Sequence, residues 1–401
     1  VKKRDRKLLA GHAMIYFGPG KWDGMWRNRH QLMSRFAQHN QVLYVEPIVG
    51  LRPLIRQLKQ GYFKKIEFWK NVFQKRVRKV AANLYIYNSP IFIPISGRFP
   101  LDKVTWWAWK LLLKRTLHKL GMHRPIIWIC LPNMLNFIGS FSEKLIVYHV
   151  VDEYSAYGDL DAKTREKKKN AEQQMLKRAD LVVVVSEKLY ATKSGFNKNT
   201  YIVPNGVDYA SYGKALADDS PLPPDILQLP RPVIGYSGLI SRRLDLALIG
   251  YVARAHPEWS LALVGEVNPV GCKSELRRLA EMENIYFLGN KQIDLVPYYI
   301  KGFDACLVPY KLNEQTQNLS PLKLYDYMAM GKGIVTTDFP VARQFKDVLH
   351  IAKSKEAFAN GIVKILSEKD YDLFCKRRKI AAQNTWEDRI AALSGIIESH
   401  L

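Results

Sequence analysis

At 401 residues the chain exceeds the size at which one hydrophobic core usually stops growing, and its composition is that of a globular protein, which sets aside a disordered chain and makes two domains the first expectation. The formal charge is +24 and the pI near 9.7. Residues 1–124 hold 26 Lys/Arg against 5 Asp/Glu, so +21 of that charge sits in the first third and points to an anionic partner there, a membrane surface or a nucleic acid.

In chain order, His12–Gly18 reads as a short apolar strand running into Gly18-Pro19-Gly20. A helical pattern follows from Arg29 to Phe36, and Val42–Pro47 is the next strand. The glycine turn of this βαβ opening lies at a strand's carboxyl end, where α/β proteins place ligands. The glycines do not form GxGxxG, so a plain tight turn and a close ligand approach at Gly18 and Gly20 both stay open. From Leu51 to Val80 basic residues interleave with apolar and aromatic ones. The pattern suits an amphipathic surface that buries Phe63, Phe68, Trp69 and Phe73 among lipid headgroups. Lys64, Lys65, Lys70, Lys75, Arg76, Arg78 and Lys79 then face anionic lipid, each contributing about 1 kcal/mol. Trp106 and Trp107 open a second aromatic-basic segment, read as interfacial. A nucleic-acid reader would set its aromatics on a sheet or groove for base stacking; no such motif is evident, and the expected partner is membrane rather than nucleic acid.

Pro125–Pro132 and Lys144–Tyr154 are two further strands, the second ending in His149, Asp152, Glu153 and Tyr154. His149, set among Val and Tyr, reads as a core histidine. Asp152 and Glu153 are the catalytic candidates, because consecutive carboxylates at a strand end are costly unless solvated or used; one of them could equally cap a helix. A charged helix over 162–179, a buried strand over 179–187 and a strand over 201–208 with an Asn205-Gly206 turn lead into a Pro-rich stretch. The predicted division is a first domain over 1–212, a linker over 213–231, a second domain over 232–380 and a closing helix within 381–401.

Pro232–Ile240 restarts the alternation, with Gly238 at its end and Arg242 and Arg243 just beyond, a pairing that suits a diphosphate. Three more strands, SLALVGEV, NIYFLGN and DACLVPY, make a second doubly wound domain the natural reading. In LSPLKLYDYMAMG, residues 319–331, Ser320 suits an N-cap and Pro321 the first helical position. The helix then opens with free N–H groups at its positive end, a place for a pyrophosphate with Lys323 adding charge. The single, widely spaced Cys130, Cys272, Cys306 and Cys375 read as free thiols of a reducing compartment. No run reaches the roughly 20 apolar residues that span a bilayer, and no signal-peptide core is evident. The expectation is a cytoplasmic chain, peripheral on the inner face of the cell membrane.

The order ADLVVVVSE, VPNGVD, YSGLISRRLDL and then residues 319–331 resembles the nucleotide-sugar-dependent glycosyltransferases of the GT-B fold. Within them it resembles the retaining bacterial glycosyl transferases group 1 of the teichuronic-acid and exopolysaccharide type, over nearly the whole chain. The resemblance implies an α/β architecture of two Rossmann-like doubly wound domains facing each other across a cleft. It implies transfer of a sugar, with retention, from a UDP- or GDP-linked donor to a membrane-associated or lipid-linked glycan acceptor. It puts Gly238, Arg242 or Arg243, Ser320, Lys323 and the N–H groups of Leu322 and Lys323 at the donor diphosphate, and Asp326 at the ribose. The turn from Leu288 to Lys291, including Asn290, would face the base; Gly18 and Gly20 would lie near the transferred sugar, with Asp152 or Glu153 near the acceptor. The closing helix would cross back onto the first domain. Asn318 and Asp326 stand where many relatives carry glutamates, so Glu314 is expected to serve the sugar instead, and Gly333 replaces a usual proline, loosening that turn. No DxD-type acidic pair stands where a metal-dependent transferase would use one, so no metal and no cofactor are expected. The rival readings are a sugar-nucleotide epimerase of the same fold and a basic nucleic-acid-binding protein.

Overall fold

The computed structural model describes residues 8–48, 55, 75–90, 101–156 and 160–401. It divides into two compact units, one of residues 1–203 and 390–401, the other of residues 204–389.

The sheet of the first unit has the order β3-β4-β2-β1-β5-β6-β7-β8. Its parallel strands are β1 (Ala13–Phe17), β2 (Gln41–Val45), β4 (Leu84–Tyr87), β5 (Ile126–Ile129), β6 (Leu145–Val150), β7 (Leu181–Val184) and β8 (Thr200–Ile202). Near-continuous apolar runs form them because both faces of such a sheet are covered. Tyr16, Tyr44 and Trp128 lie on one face, where Phe36 of α1 (Asn28–Phe36) packs 5.6 Å from Trp128. On the other face Ile15, Phe17, Ile127 and Tyr148 share a core with Trp109 and Leu113 of α2 (Leu101–Lys119) and with Met175 and Leu176 of α3 (Ala162–Arg178). α4 (Glu187–Lys193) follows β7, capped by the Ser186 side chain.

The edge strand β3 (Val77–Ala81) pairs antiparallel with β4, so the last residues of the proposed lipid-facing segment form sheet instead. Arg78 is ion-paired with Asp23 at 2.7 Å, and Lys79 lies 6.0 Å from the Tyr85 ring. The backbone oxygens of Lys75 and Arg76 hold Asn88. Lys64, Lys65, Trp69 and Lys70 fall outside the described residues. Of the second segment, Trp107 is 64% exposed, but Trp106 packs edge-on to Phe137 at 5.1 Å, so only Trp107 keeps the surface position expected of both. Among the described residues no helix is long and apolar enough to cross a membrane. Cys130, Cys272 and Cys306 are buried free thiols, whereas Cys375 is exposed.

The second unit holds β9 (Val233–Ser237), β10 (Ser260–Val264), β11 (Ile285–Gly289), β12 (Ala305–Val308), β13 (Ile334–Thr337) and β14 (His350–Ala352), all parallel, in the order β11-β10-β9-β12-β13-β14. The stretch read as a linker belongs to this unit. It contains the end of α5 (Tyr209–Ala217) and α6 (Pro224–Leu227), and Ala215, Ile226 and Leu229 are buried in the core. Proline density there marks tight corners between short helices rather than a tether. The chain leaves the first unit at Val203 and returns to it at Ile390, inside the last helix (Trp386–Glu398), so residues 381–389 stay with the second unit.

Gly206 was read as half of a turn. In fact a Cβ there would lie 2.9 Å from the Thr385 and Trp386 backbone, and Val207 bridges Thr385. The glycine lets two chain segments touch. Gly333 likewise has a packing reason, since a Cβ would meet Ile365 at 2.4 Å.

Candidate functional site

In each unit the strand order reverses direction beside the first strand, between β1 and β5 and between β9 and β12. The carboxyl ends of strands at such a switch point diverge and leave a crevice for ligands.

In the second unit the crevice is floored by two glycines. Gly238 (φ 142) follows β9 and Gly265 (φ 146) follows β10, and a Cβ on Gly265 would lie 2.0 Å from the Gly238 oxygen. Only glycine tolerates both the backbone angle and the contact. After α7 (Leu246–Ala255), which follows β9, and opposite the two glycines stands α8 (Leu322–Ala329). Its N-cap is Pro321, with no side-chain cap, so Ser320 does not cap as expected. The Ser320 Oγ instead accepts from the Asn205 N–H at 3.4 Å, while Asn205 Nδ2 donates to the Ser320 oxygen at 2.7 Å. With no capping side chain, the first-turn N–H groups, those of Leu322 and Lys323 among them, have no acceptor within the helix. The helix stops in a Schellman turn, Gly331 N–H to Met328 and Lys332 N–H to Tyr327, at a glycine whose Cβ would strike Phe374.

Lys323 extends from the first turn of α8 towards the Gly238 turn, where a Cβ would lie 3.2 Å from its Nζ. The ammonium donates to the Tyr310 hydroxyl at 2.6 Å and lies 5.0 Å from the ring centres of Tyr236 and Tyr310, which end β9 and follow β12. Burial works against this charge, but the two tyrosines hold it, and the lysine stays above its ordinary range. Burial pushes Tyr236 up to about 12, against the pull of Lys323 and Arg243. Arg243 therefore shares this neighbourhood. With the Gln315 amide turned so that its oxygen faces the arginine, that oxygen accepts from Nη2 and Nε at 2.9 and 3.0 Å. Arg242 lies on the Cys272 side. The adjacent arginines thus differ in surroundings, and Arg243 is the one that acts with Lys323 on Tyr236.

Asp326 lies one helical turn after Lys323 on α8 and is half-buried. Burial raises its pKa to about 7, opposed by a hydrogen bond from Tyr212 of α5 and by Lys323, with Asp208 adding to the rise. Asn318 is buried and donates to the Glu314 oxygen at 2.7 Å, and the Glu314 residue is exposed. Asn290 is exposed just past β11, while Lys291 is drawn away to Asp225 at 2.6 Å.

In the first unit, Gly18 and Gly20 line the end of β1. The Tyr44 hydroxyl donates to the Gly20 oxygen at 2.6 Å across Gly18, where a Cβ would be 2.1 Å from it. Gly18 is thereby required by packing. At the end of β6, Glu153 leaves the catalytic candidates. Its Oε2 is 2.7 Å from Lys193 Nζ, its Oε1 accepts from Ser155 Oγ at 2.7 Å, and Lys193 also binds Glu172 at 2.7 Å. All three charged groups are buried. Burial acts to raise Glu153, yet Lys193 and Ser155 hold it below the usual carboxylate range, whereas for Glu172 burial prevails and its pKa is raised. Asp152 is buried and accepts from the Glu153 N–H at 3.0 Å, and it alone of the pair is carried forward. His149 is a core histidine, 3% exposed, with burial lowering its pKa to about 3.

Sequence reasoning missed Tyr236, Tyr310 and Gly265, whose roles depend on which strands become neighbours. It also missed Lys193 and Glu172, which meet Glu153 only once α3 and α4 pack together.

Residues 231–368 match the family model for glycosyl transferases group 1. A putative teichuronic acid biosynthesis glycosyltransferase, TuaH of Bacillus subtilis (strain 168), is 28% identical over 229 residues, 54% of this chain and 56% of that protein. The match therefore spans about half the length of that relative. Sucrose-phosphate synthase from Thermosynechococcus elongatus superposes with a TM-score of 0.69 at 17% identity, over 97% of this chain and 99% of the other. HepE of Anabaena, solved with UDP and glucose, gives 0.65 at 15% identity over 97% and 100%. The E. coli trehalose-6-phosphate protein bound with UDP-2-fluoro glucose gives 0.64 at 12% identity over 96% and 98%.

Proposed function

From a chain that has the GT-B fold and carries a glycosyl transferases group 1 domain over residues 231–368, we propose a glycosyltransferase that moves a sugar from a nucleoside diphosphate sugar to a lipid-linked or membrane-associated glycan acceptor. The observation that carries the reading is the Lys323 ammonium, aimed from the first turn of α8 at the Gly238 turn after β9 and seated between Tyr236 and Tyr310. Glycosyl transfer from a diphosphate requires stabilisation of charge that grows on the leaving group. Fixed cations and uncapped N–H groups in a sheltered crevice supply it without reorganising. Lys323, Arg243 and the N–H groups of Leu322 and Lys323 take the diphosphate across Gly238, Asp326 takes the ribose hydroxyls, Asn290 faces the base and Glu314 the sugar. Asp152 serves the acceptor. The donor base is uracil or guanine; the UDP bound by HepE and the UDP-sugar bound by the E. coli protein favour uracil. The teichuronic-acid assignment of the B. subtilis relative supports a place in bacterial surface polysaccharide synthesis. Retention at the anomeric carbon and a location on the cytoplasmic face of the membrane are part of the same proposal and rest on the sequence resemblance alone.

Thermal shift with UDP, GDP and their sugars tests this. A ligand at about 100 times its Kd adds about 2.7 kcal/mol to the native state. Lys323→Met should cost about 1.5–3 kcal/mol of nucleotide binding, the range for hydrogen bonds to charged groups. No response to any nucleoside diphosphate, or equal responses from wild type and Lys323→Met, overturns the assignment.

A further inference from the structure

Among the described residues of the first unit is a buried cation that none of the others compensates. Arg29, in the first turn of α1, is 8% exposed. Its Nη2 donates to the Lys21 oxygen at 3.0 Å, and its Nε is buried with no acceptor. No carboxylate among the described residues lies within ion-pair distance of it. The nearby acids are engaged elsewhere, since Asp23 pairs with Arg78 at 2.7 Å and Glu46 Oε1 accepts from the Trp22 N–H at 3.0 Å. His30, next to it in α1, adds no negative charge. Its Nδ1 accepts from the Arg27 N–H and its Nε2 faces the Trp22 oxygen, and burial followed by Arg29 itself lowers its pKa to about 4.

A guanidinium withdrawn from water without a counter-charge is costly, and chains keep one where a ligand supplies the missing anion. The place is also suitable. Arg29 lies beside Gly20 in the turn that follows β1, at the switch point between β1 and β5, with its Nη2 3.5 Å from where a Gly20 Cβ would stand. Tyr44, which donates to the Gly20 oxygen, fixes the turn over it. A planar fork beside a glycine turn matches the oxygens of a phosphoryl group.

We propose that Arg29 is the recognition residue for a phosphoryl group carried by the sugar acceptor, so that the acceptor is a phosphate- or pyrophosphate-bearing molecule. The inference rests on the transferase reading in taking the first unit as the acceptor side. The same chemistry could come from the donor diphosphate, and the test separates the two sources.

Inorganic pyrophosphate is titrated calorimetrically into the full chain saturated with UDP, for wild type, Arg29→Met and Arg29→Lys, and UDP is titrated separately into each. The expected result is pyrophosphate binding to the UDP-saturated wild type, weakened about 30-fold or more by Arg29→Met and less by Arg29→Lys, with UDP affinity unchanged. Removing an unpaired buried charge should leave the melting temperature of the unliganded protein equal or higher, whereas a purely structural arginine would lower it. Equal pyrophosphate binding by wild type and Arg29→Met, a UDP affinity that falls in Arg29→Met, or a clearly lower melting temperature of unliganded Arg29→Met each overturns the proposal. Failure of wild type to bind UDP would instead count against the transferase reading, and pyrophosphate titrated into the unliganded chain would still report on Arg29.

Discussion

Replacing Asp326 with Asn should change how stability depends on pH. A carboxyl held near 7 in the folded chain and at its ordinary 3.8 in the unfolded one keeps its proton on folding over that interval. The unfolded state loses the proton first as pH rises, so the contribution to stability is fully present below about 4 and lost as pH climbs to about 7. At 1.36 kcal/mol per pH unit this amounts to about 4 kcal/mol, an upper bound because the residue keeps some exposed surface. Asn preserves the acceptor for Tyr212 and removes the titration. Urea unfolding of wild type and Asp326→Asn at half-unit steps from pH 4 to 8.5 should give a stability difference that moves steadily in favour of the variant up to about pH 7 and is flat above it. A difference independent of pH would refute the reasoning and mean that water reaches the carboxylate in the folded chain. Donor hydroxyls at the proposed ribose contact favour the charged form, so nucleotide binding at pH 6 should release a proton from wild type but not from Asp326→Asn.

Lys193→Met leaves Glu153 and Glu172 buried without their cation and should cost about 3–5 kcal/mol, measured by denaturant unfolding. Both carboxyls then rise above their unfolded values, so the loss should deepen from pH 5 to 8; a loss constant with pH would argue against the ion triad. Gly18→Ala sets a methyl 2.1 Å from the hydroxyl of fully buried Tyr44 and should cost about 1–3 kcal/mol by overpacking, and an unchanged melting temperature would contradict that contact.

Much of the fold was legible because parallel strands covered on both faces declare themselves as apolar runs. β1, β5, β6, β7, β9, β10, β11 and β12 fall within stretches read that way, and β2 starts one residue before its stretch. β3 was not, since Val77–Ala81 is an exposed basic edge strand whose pairing with β4 is a tertiary fact. The domain boundary was misplaced because Pro221, Pro223 and Pro224 look like a tether, whereas Ile226 between them and the sheet is fully buried. Within the candidate site, the glycine at 238 and the lysine at 323 were visible as residue types next to a strand end and a helix start. What holds Lys323 was not, because Tyr236 and Tyr310 lie 74 positions apart in the chain and meet only through the adjacency of β9 and β12. Glu153 was misread for the same kind of reason. Two consecutive acids at a strand end look available until α3 and α4 bring Glu172 and Lys193 to one of them.

Asn205 has a wider bearing than its hydrogen bonds suggest. It stands two residues after the chain leaves the first unit, its side chain grips the Ser320 oxygen, and its own oxygen accepts from Arg389, the last residue before the chain goes back. With Val207 laddered to Thr385, the two ends of residues 204–389 are stitched side by side. The second unit is therefore a closed loop of chain spliced into the first, with its ends pre-joined. Such an arrangement tolerates excision and circular permutation, since neither leaves a frayed end to reorganise. It also means that the one seam through which the chain passes twice is fastened to the residue immediately before Pro321 and α8.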